Sequence, residues 1–165
     1  MKIAIIVGSH RPKSESLKVG NFVQKELETL NSESYLLDLG ENSLPLWDES
    51  IWENDPKWDK IWSPISSKLK NCYGFVIISP EYGGMATPAL KNFFLLCGNG
   101  ELAHKPAVII GVSASRGGSY PIAELRMSSY KNTQIVYLPD HIIVREVENF
   151  LNDNLVMIIW SQNKI

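Results

Sequence analysis

Residues 2–16 read KIAIIVGSHRPKSES, and the fold follows from the change of character halfway along that stretch. Residues 3–7 are continuously apolar and mostly β-branched, with no polar alternation, which predicts a strand covered on both faces in a parallel sheet. Gly8 ends it, and a polar loop with Ser9, Arg11, Ser14 and Ser16 leads into Val19, Phe22, Val23, Leu27 and Leu30 at helical spacing. A strand, a hydroxyl-rich loop and a helix start together predict an anion site. The free N–H groups of the first turn, the positive end of the helix dipole, several hydroxyls and a guanidinium would face one point. Two readings of this loop stay open: a phosphate site, or a helix merely capped by Ser14 or Ser16 with Arg11 in solvent. The familiar nucleotide loops are excluded, because Pro12 stands where a P-loop needs glycine before Lys13-Ser14, and no further glycines follow Gly8 as the dinucleotide fingerprint requires.

Working outward, residues 34–39, 74–79, 107–112 and 134–138 predict four more short strands, and amphipathic stretches lie between them. Thr87-Pro88 predicts a capped helix start with proline in the first turn, followed by Leu90, Phe93, Phe94 and Cys97 on one face. Another helical pattern runs through Ile122, Leu125 and Met127. Strands alternating with helices at this spacing call for a doubly wound five-stranded parallel sheet. In the strand order 2-1-3-4-5, ligands bind where the order reverses, between the carboxyl ends of the first and third strands. The loops there are GSHRPKSES, SPEYGGMAT and SASRGGSY, all rich in Ser and Gly. Gly83-Gly84 and Gly117-Gly118 would let main chain approach a planar ligand closely.

One connection stands apart. From Gly40 to residue 62 the chain is long and carries four of the five tryptophans, and Pro64 is expected to kink or restart the helix around it at a Ser63 cap. Trp58, Ile61, Trp62, Ile65 and Leu69 keep helical spacing, whereas Trp47 and Trp52 follow no period and are read either as packing or as a subunit interface or pocket rim. Leu155, Ile158 and Ile159 are the apolar residues available for a last helix.

Composition narrows the function classes. A length of 165 residues with 44% hydrophobic residues suits one domain with an adequate core, here taken as 1–165. Sixteen basic against 18 acidic residues gives a net charge of −2, which offers no electrostatic case for nucleic acid or an anionic membrane. No apolar run approaches the roughly 20 residues of a membrane helix and no signal-peptide pattern precedes the first strand, so the expected location is cytoplasmic. Cys72 and Cys97 lack CxxC spacing and are expected to be buried structural thiols; with His10, His104 and His141 they make no metal-ligand pattern, so no metal is expected.

The three loops, taken together, resemble the NADPH-dependent FMN reductase family, whose members include flavin, quinone, chromate and azo-dye reductases. The resemblance rests on Gly8-Ser9-x-Arg11-x-x-Ser14, on Leu44-Pro45-Leu46, on Pro80-Glu81-Tyr82 with Leu90-Lys91-Asn92, and on Ser113 through Gly117-Gly118. It implies a flavodoxin-like fold, with Ser9, Arg11, Ser14, Ser16 and the backbone to Leu17 holding an FMN phosphate. Pro80, Glu81, Tyr82, Gly83, Gly84 and Met85 would line the isoalloxazine, and Ser113, Ser115, Gly117 and Gly118 would close its other edge. Gly83 departs from the asparagine or histidine that many members carry there. Lys91 and Asn92 are read as surface charge and local hydrogen bonding, and Glu81 as a carboxylate that orients a neighbour, steers a substrate or faces solvent.

The activity so implied is an FMN-dependent oxidoreductase that passes a hydride from NADPH or NADH through flavin N5 to a small-molecule acceptor such as a quinone, free flavin or azo dye. No side chain is expected to be catalytic, because the cofactor carries the chemistry. A homodimer or homotetramer is the expected assembly. Two rivals remain from other classes: a flavodoxin-type electron carrier without turnover of its own, and an interaction module that has kept the fold and lost the cofactor.

Overall fold

The computed structural model describes residues 1–53 and 55–151. Five strands, β1 (Lys2–Val7), β2 (Glu33–Asp38), β3 (Gly74–Pro80), β4 (Pro106–Val112) and β5 (Val136–Val144), form one sheet in the order β2-β1-β3-β4-β5. Every pairing is parallel. The helices are α1 (Glu15–Thr29), α2 (Pro56–Ile61), α3 (Ser63–Lys70), α4 (Pro88–Leu96) and α5 (Tyr120–Ser128).

The unbroken apolar strands have a direct explanation in this architecture. Alternate residues of a strand point to opposite faces, and both faces are covered. Ala4 and Ile6 of β1 join Phe75, Ile77 and Ile109 in a core closed by α2 to α5. Ile5 and Val7 join Val76, Ile78 and Ile110 in a second core beneath α1. All six residues of β1 pair with β2, and residues 3–7 pair also with β3, so β1 is the central strand from which the phosphate-type loop departs.

Three local features differ from the sequence reading. The fifth strand begins at Val136 rather than 134 and runs on through Pro139 to Val144, past the end at 138 expected from the sequence. β5 is an edge strand, where proline is tolerated, and its pairing with β4 is irregular between Ala107 and Ile109. The carbonyls of Leu138, Pro139 and Asp140 in that irregular stretch all accept from Nη2 of Arg126 on α5, at 2.6, 3.1 and 3.1 Å. The helix does restart at Pro64, but the breaking residue is Trp62, which ends α2 and precedes α3 without a side-chain cap. Asn92 is not on the surface: it is 6% exposed, accepts from Trp47 N–H at 2.7 Å and donates to the Pro45 carbonyl at 2.8 Å. It therefore ties the Leu44-Pro45-Leu46 connection to α4. The apolar residues expected to form a last helix lie outside the described residues.

Candidate functional site

The carboxyl end of β1 turns sharply at Gly8, whose N–H donates to the Ile78 carbonyl of β3 at 2.8 Å. A Cβ there would come within 2.8 Å of that same oxygen, so only glycine fits. The Gly8 carbonyl in turn accepts from the Thr87 hydroxyl, which also caps α4 by accepting from Leu90 N–H at 3.2 Å. The first loop and the start of α4 are thus joined through a side chain that is completely buried. Lys13 then takes a left-handed conformation, φ 52°, to turn the chain into α1.

The two readings of the first loop are divided between its serines. Ser14 is the cap, with its side chain accepting from Leu17 N–H at 3.1 Å. Ser16 is 2% exposed, and among the described residues its hydroxyl has no hydrogen-bond partner. Ser9 is fully buried, accepts from Arg11 N–H at 3.1 Å and shares a hydrogen bond of 3.0 Å with the Tyr82 phenol. Arg11 is exposed, with its guanidinium 5.8 Å from the centre of the Tyr82 ring, and His10 meets the same ring edge-on at 5.2 Å. Leu17 N–H is engaged by Ser14, so Leu17 offers packing rather than a free donor.

Tyr82 belongs to the second loop, a two-residue hairpin. Tyr82 N–H donates to the Met85 carbonyl at 3.0 Å and Met85 N–H to the Tyr82 carbonyl at 3.1 Å. Gly83 and Gly84 between them both have positive φ, 58° and 77°, the requirement of a type I′ turn. Their own N–H groups make no hydrogen bond among the described residues. Pro80 is buried at the end of β3, paired with Val112, while Gly83, Gly84 and Met85 are exposed.

The third loop leaves β4 beside the second. Glu81 N–H donates to the Val112 carbonyl at 2.9 Å, and the Glu81 carboxylate accepts from Gly118 N–H. A Cβ on Gly117 would lie 2.6 Å from Glu81 Oε1, and Gly118 has φ 99° with its carbonyl packed against Gly111. Gly118 is required by its positive φ and by Ile143 of β5, whose Cγ2 a Cβ there would meet at 2.7 Å, while Gly117 leaves room for the Glu81 carboxylate. Ser113 accepts from Ser115 N–H at 3.1 Å, and Ser115 is exposed.

The structure thus brings the sequence-predicted residues to one end of the sheet, in three loops tied to one another by Ser9 with Tyr82, Thr87 with Gly8, and Glu81 with Gly118. A fourth tie went unseen in the sequence. Glu124 of α5 accepts from Ala86 N–H, just past the hairpin, at 2.6 Å and pairs with Lys91 of α4. Its carboxyl is held below the usual range: burial alone would raise it, but Lys91 and the Ala86 N–H outweigh that. A bond between residues 38 positions apart leaves no local signal in the sequence. Cys97 is fully buried, with its thiol pushed well above its ordinary value by burial, and so is inert; Cys72 is buried too. Among the described residues no cluster of His, Cys, Asp or Glu could hold a metal ion, and no helix is long and apolar enough to cross a membrane. Two grooves, of about 460 and 810 Å³, lie on the flank formed by α2 to α5, with Trp52, Leu95 and Gly98 common to both; the larger is lined also by Lys91 and Glu124.

Comparison with known proteins agrees with this geometry. The family model described as NADPH-dependent FMN reductase matches residues 1–149. The chain is 26% identical over 118 residues to an NADPH azoreductase of Bacillus sp. (strain OY1-2), covering 72% of this chain and 62% of that protein. It is 27% identical over 128 residues to an FMN-dependent NADPH-azoreductase of Staphylococcus saprophyticus subsp. saprophyticus, covering 77% and 68%. Among solved structures, FerB, a flavoenzyme NAD(P)H:(acceptor) oxidoreductase from Paracoccus denitrificans, superposes with a TM-score of 0.78 at 23% identity, covering 99% of this chain and 89% of that one.

Proposed function

Since the chain belongs to the NADPH-dependent FMN reductase family, we propose that it binds FMN across its three loops and uses it to reduce a small-molecule acceptor at the expense of NADPH or NADH. The observation that carries this reading is a set of donors that have no hydrogen-bond partner among the described residues and sit on two loops joined to each other. These are the Ser16 hydroxyl beside the first turn of α1, and the Gly83 and Gly84 N–H groups on the hairpin that Ser9 links to the phosphate-type loop. The first suits a phosphate at a helix start, the second the polar edge of a planar ring. The residues present fit the cofactor.

In this reading Ser9, Arg11, Ser14 and Ser16 hold the phosphate, with Arg11 closing the loop from the solvent side. Pro80, Tyr82, Gly83, Gly84 and Met85 support one edge of the ring, and Ser113, Ser115, Gly117 and Gly118 the other. Bound FMN would supply the redox chemistry, a ring that takes a hydride from a nicotinamide and gives electrons to an acceptor. The chain's part is to bind, to orient and to leave one ring face open, and no side chain is required as acid or base. The acceptor class we favour is a planar quinone, free flavin or azo dye, since the azoreductases named above share a quarter of their aligned residues with this chain. The enzyme is taken to be one flavodoxin-like unit acting in the cytoplasm as a homo-oligomer.

The test is a fluorescence titration with FMN followed by steady-state oxidation of NADPH and of NADH against a quinone, free FMN and an azo dye. Binding with turnover is the expected result. Binding without turnover would make the protein an electron carrier, and absence of binding an interaction module.

A further inference from the structure

The hairpin of residues 82–85 offers its ligand bare backbone, yet a two-residue turn standing at the surface has little of its own to hold it in place. Its two ends are fixed by carboxylates. On the entering side Glu81 accepts from Gly118 N–H, and its own N–H donates to Val112 of β4. On the leaving side Glu124 reaches from α5 to accept from Ala86 N–H, and Lys91 of α4 pairs with it. The two acids come from different elements and act on different N–H groups, but both clamp the same four-residue segment. Each is half-buried, where a charge-assisted hydrogen bond is stronger than in open water. The intervening Gly83 and Gly84, the most flexible residues available, are left as the unbonded donors.

We infer that Glu81 and Glu124 are positioning residues that preorganise the Gly83-Gly84 hairpin for its ligand, Glu81 by locking it to the β4 loop and Glu124 by locking it to α5. Neither acts as an acid or a base. Glu81 is seated against the third loop in keeping with this: its carboxylate passes the open side of Gly117, 2.6 Å from where a Cβ would stand, and accepts the Gly118 N–H. Lys91 fits the same scheme, since it holds the Glu124 carboxylate ionised and facing the hairpin. A hairpin ordered before binding does not lose that conformational freedom when the ligand arrives, which is the general source of affinity in preorganised sites.

The inference rests on the FMN reading for the identity of the ligand, and its test separates the two. Amide hydrogen exchange is measured by NMR on ligand-free wild type and on Glu81→Ala, Glu81→Gln, Glu124→Ala and Glu124→Gln, and FMN titrations follow on the same samples. In Glu81→Ala the Gly118 amide, and in Glu124→Ala the Ala86 amide, should exchange at least about tenfold faster, with FMN affinity reduced about tenfold, the lower end for one lost charge-assisted hydrogen bond. The Gln variants keep an acceptor oxygen and should retain most of both, which a role for the negative charge in the chemistry would not allow. Unchanged protection of these amides in the Ala variants would overturn the inference. So would unchanged FMN affinity despite faster exchange, or a Gln variant that behaves as Ala. If β3 and β4 amides also lose protection in an Ala variant, the Gln variant of the same residue decides. A wild type that fails to bind FMN would refute the cofactor reading alone, since the exchange data are taken without ligand.

Discussion

Gly83 is the position at which the sequence departs from the asparagine or histidine that the family resemblance implies, and its backbone says which side chains it can take. At φ 58°, with only the Met85 methyl within 4 Å of an added Cβ, it has room but an unfavourable conformation for most residues. An Asn-Gly pair is the preferred occupant of a type I′ turn, because asparagine tolerates the left-handed region. Gly83→Asn should therefore retain FMN affinity and leave thermal stability unchanged or slightly raised. Valine is β-branched and unsuited to positive φ, at a cost of about 1–2 kcal/mol, so Gly83→Val should distort the hairpin and lose most FMN binding. A Val variant that binds as well as wild type would make Gly83 a neutral variation. Arg11 gives the second residue-level test. Its guanidinium lies over Tyr82 at the mouth of the first loop, and Arg11→Ala should weaken FMN by about 1.5–3 kcal/mol, the value of a hydrogen bond to a charged group. An unchanged dissociation constant would leave Arg11 as a partner of Tyr82 only.

At the scale of elements, what the sequence could reveal follows from burial. Strands β1, β3 and β4 lie inside the sheet with apolar residues on both faces, so an unbroken apolar run marks them to within a residue. β5 carries Val136, Leu138 and Ile142 exposed along one edge, and its Pro139 is tolerable only there; no local pattern announces that. The site divides the same way. Its glycines and serines were legible because turns and helix starts demand those residues locally, whereas Glu124 with Ala86, Tyr82 with Ser9 and Asn92 with Trp47 are bonds between distant segments, which only the folded chain brings together. Arg126 is of this second kind and is open to experiment. It satisfies three carbonyls where the β4–β5 pairing is irregular, so Arg126→Ala should lower unfolding free energy by about 1–2 kcal/mol, the value for a charged donor reduced by solvent exposure. Arg126→Lys should recover only part of it, because all three bonds run from Nη2 and the lysine ammonium ends one bond short of that nitrogen. Urea denaturation reads both, and an Ala variant as stable as wild type would reduce Arg126 to a surface charge.

At the scale of the whole molecule, the sheet explains where the loops meet, but the opposite use of tryptophan along the 47–62 segment remains to be accounted for. Trp58 and Trp62 are buried at 4% and 5% exposure and close the core beneath α2 and α3, while Trp47 packs partly against it. Trp52 behaves differently. It is 68% exposed, braced edge-on against Trp47 at 5.0 Å, and it lies between two grooves that also expose Leu95 and Met127. Asn92 holds the backbone of this connection to α4, so the ring is presented on a fixed loop. Large aromatic residues held rigidly on an apolar surface are the usual anchors of protein interfaces, since covering one removes much apolar area at little conformational cost. The protein should accordingly be at least a dimer at micromolar concentration by light scattering, with Trp52 in the contact. Trp52→Glu should shift it toward monomer while its circular dichroism and melting profile stay those of a folded chain, because an indole 68% exposed adds little to the protomer's core beyond its edge contact with Trp47. A wild-type monomer would remove the assembly altogether. A dimer untouched by Trp52→Glu would move the contact to another face and leave these grooves to some other ligand.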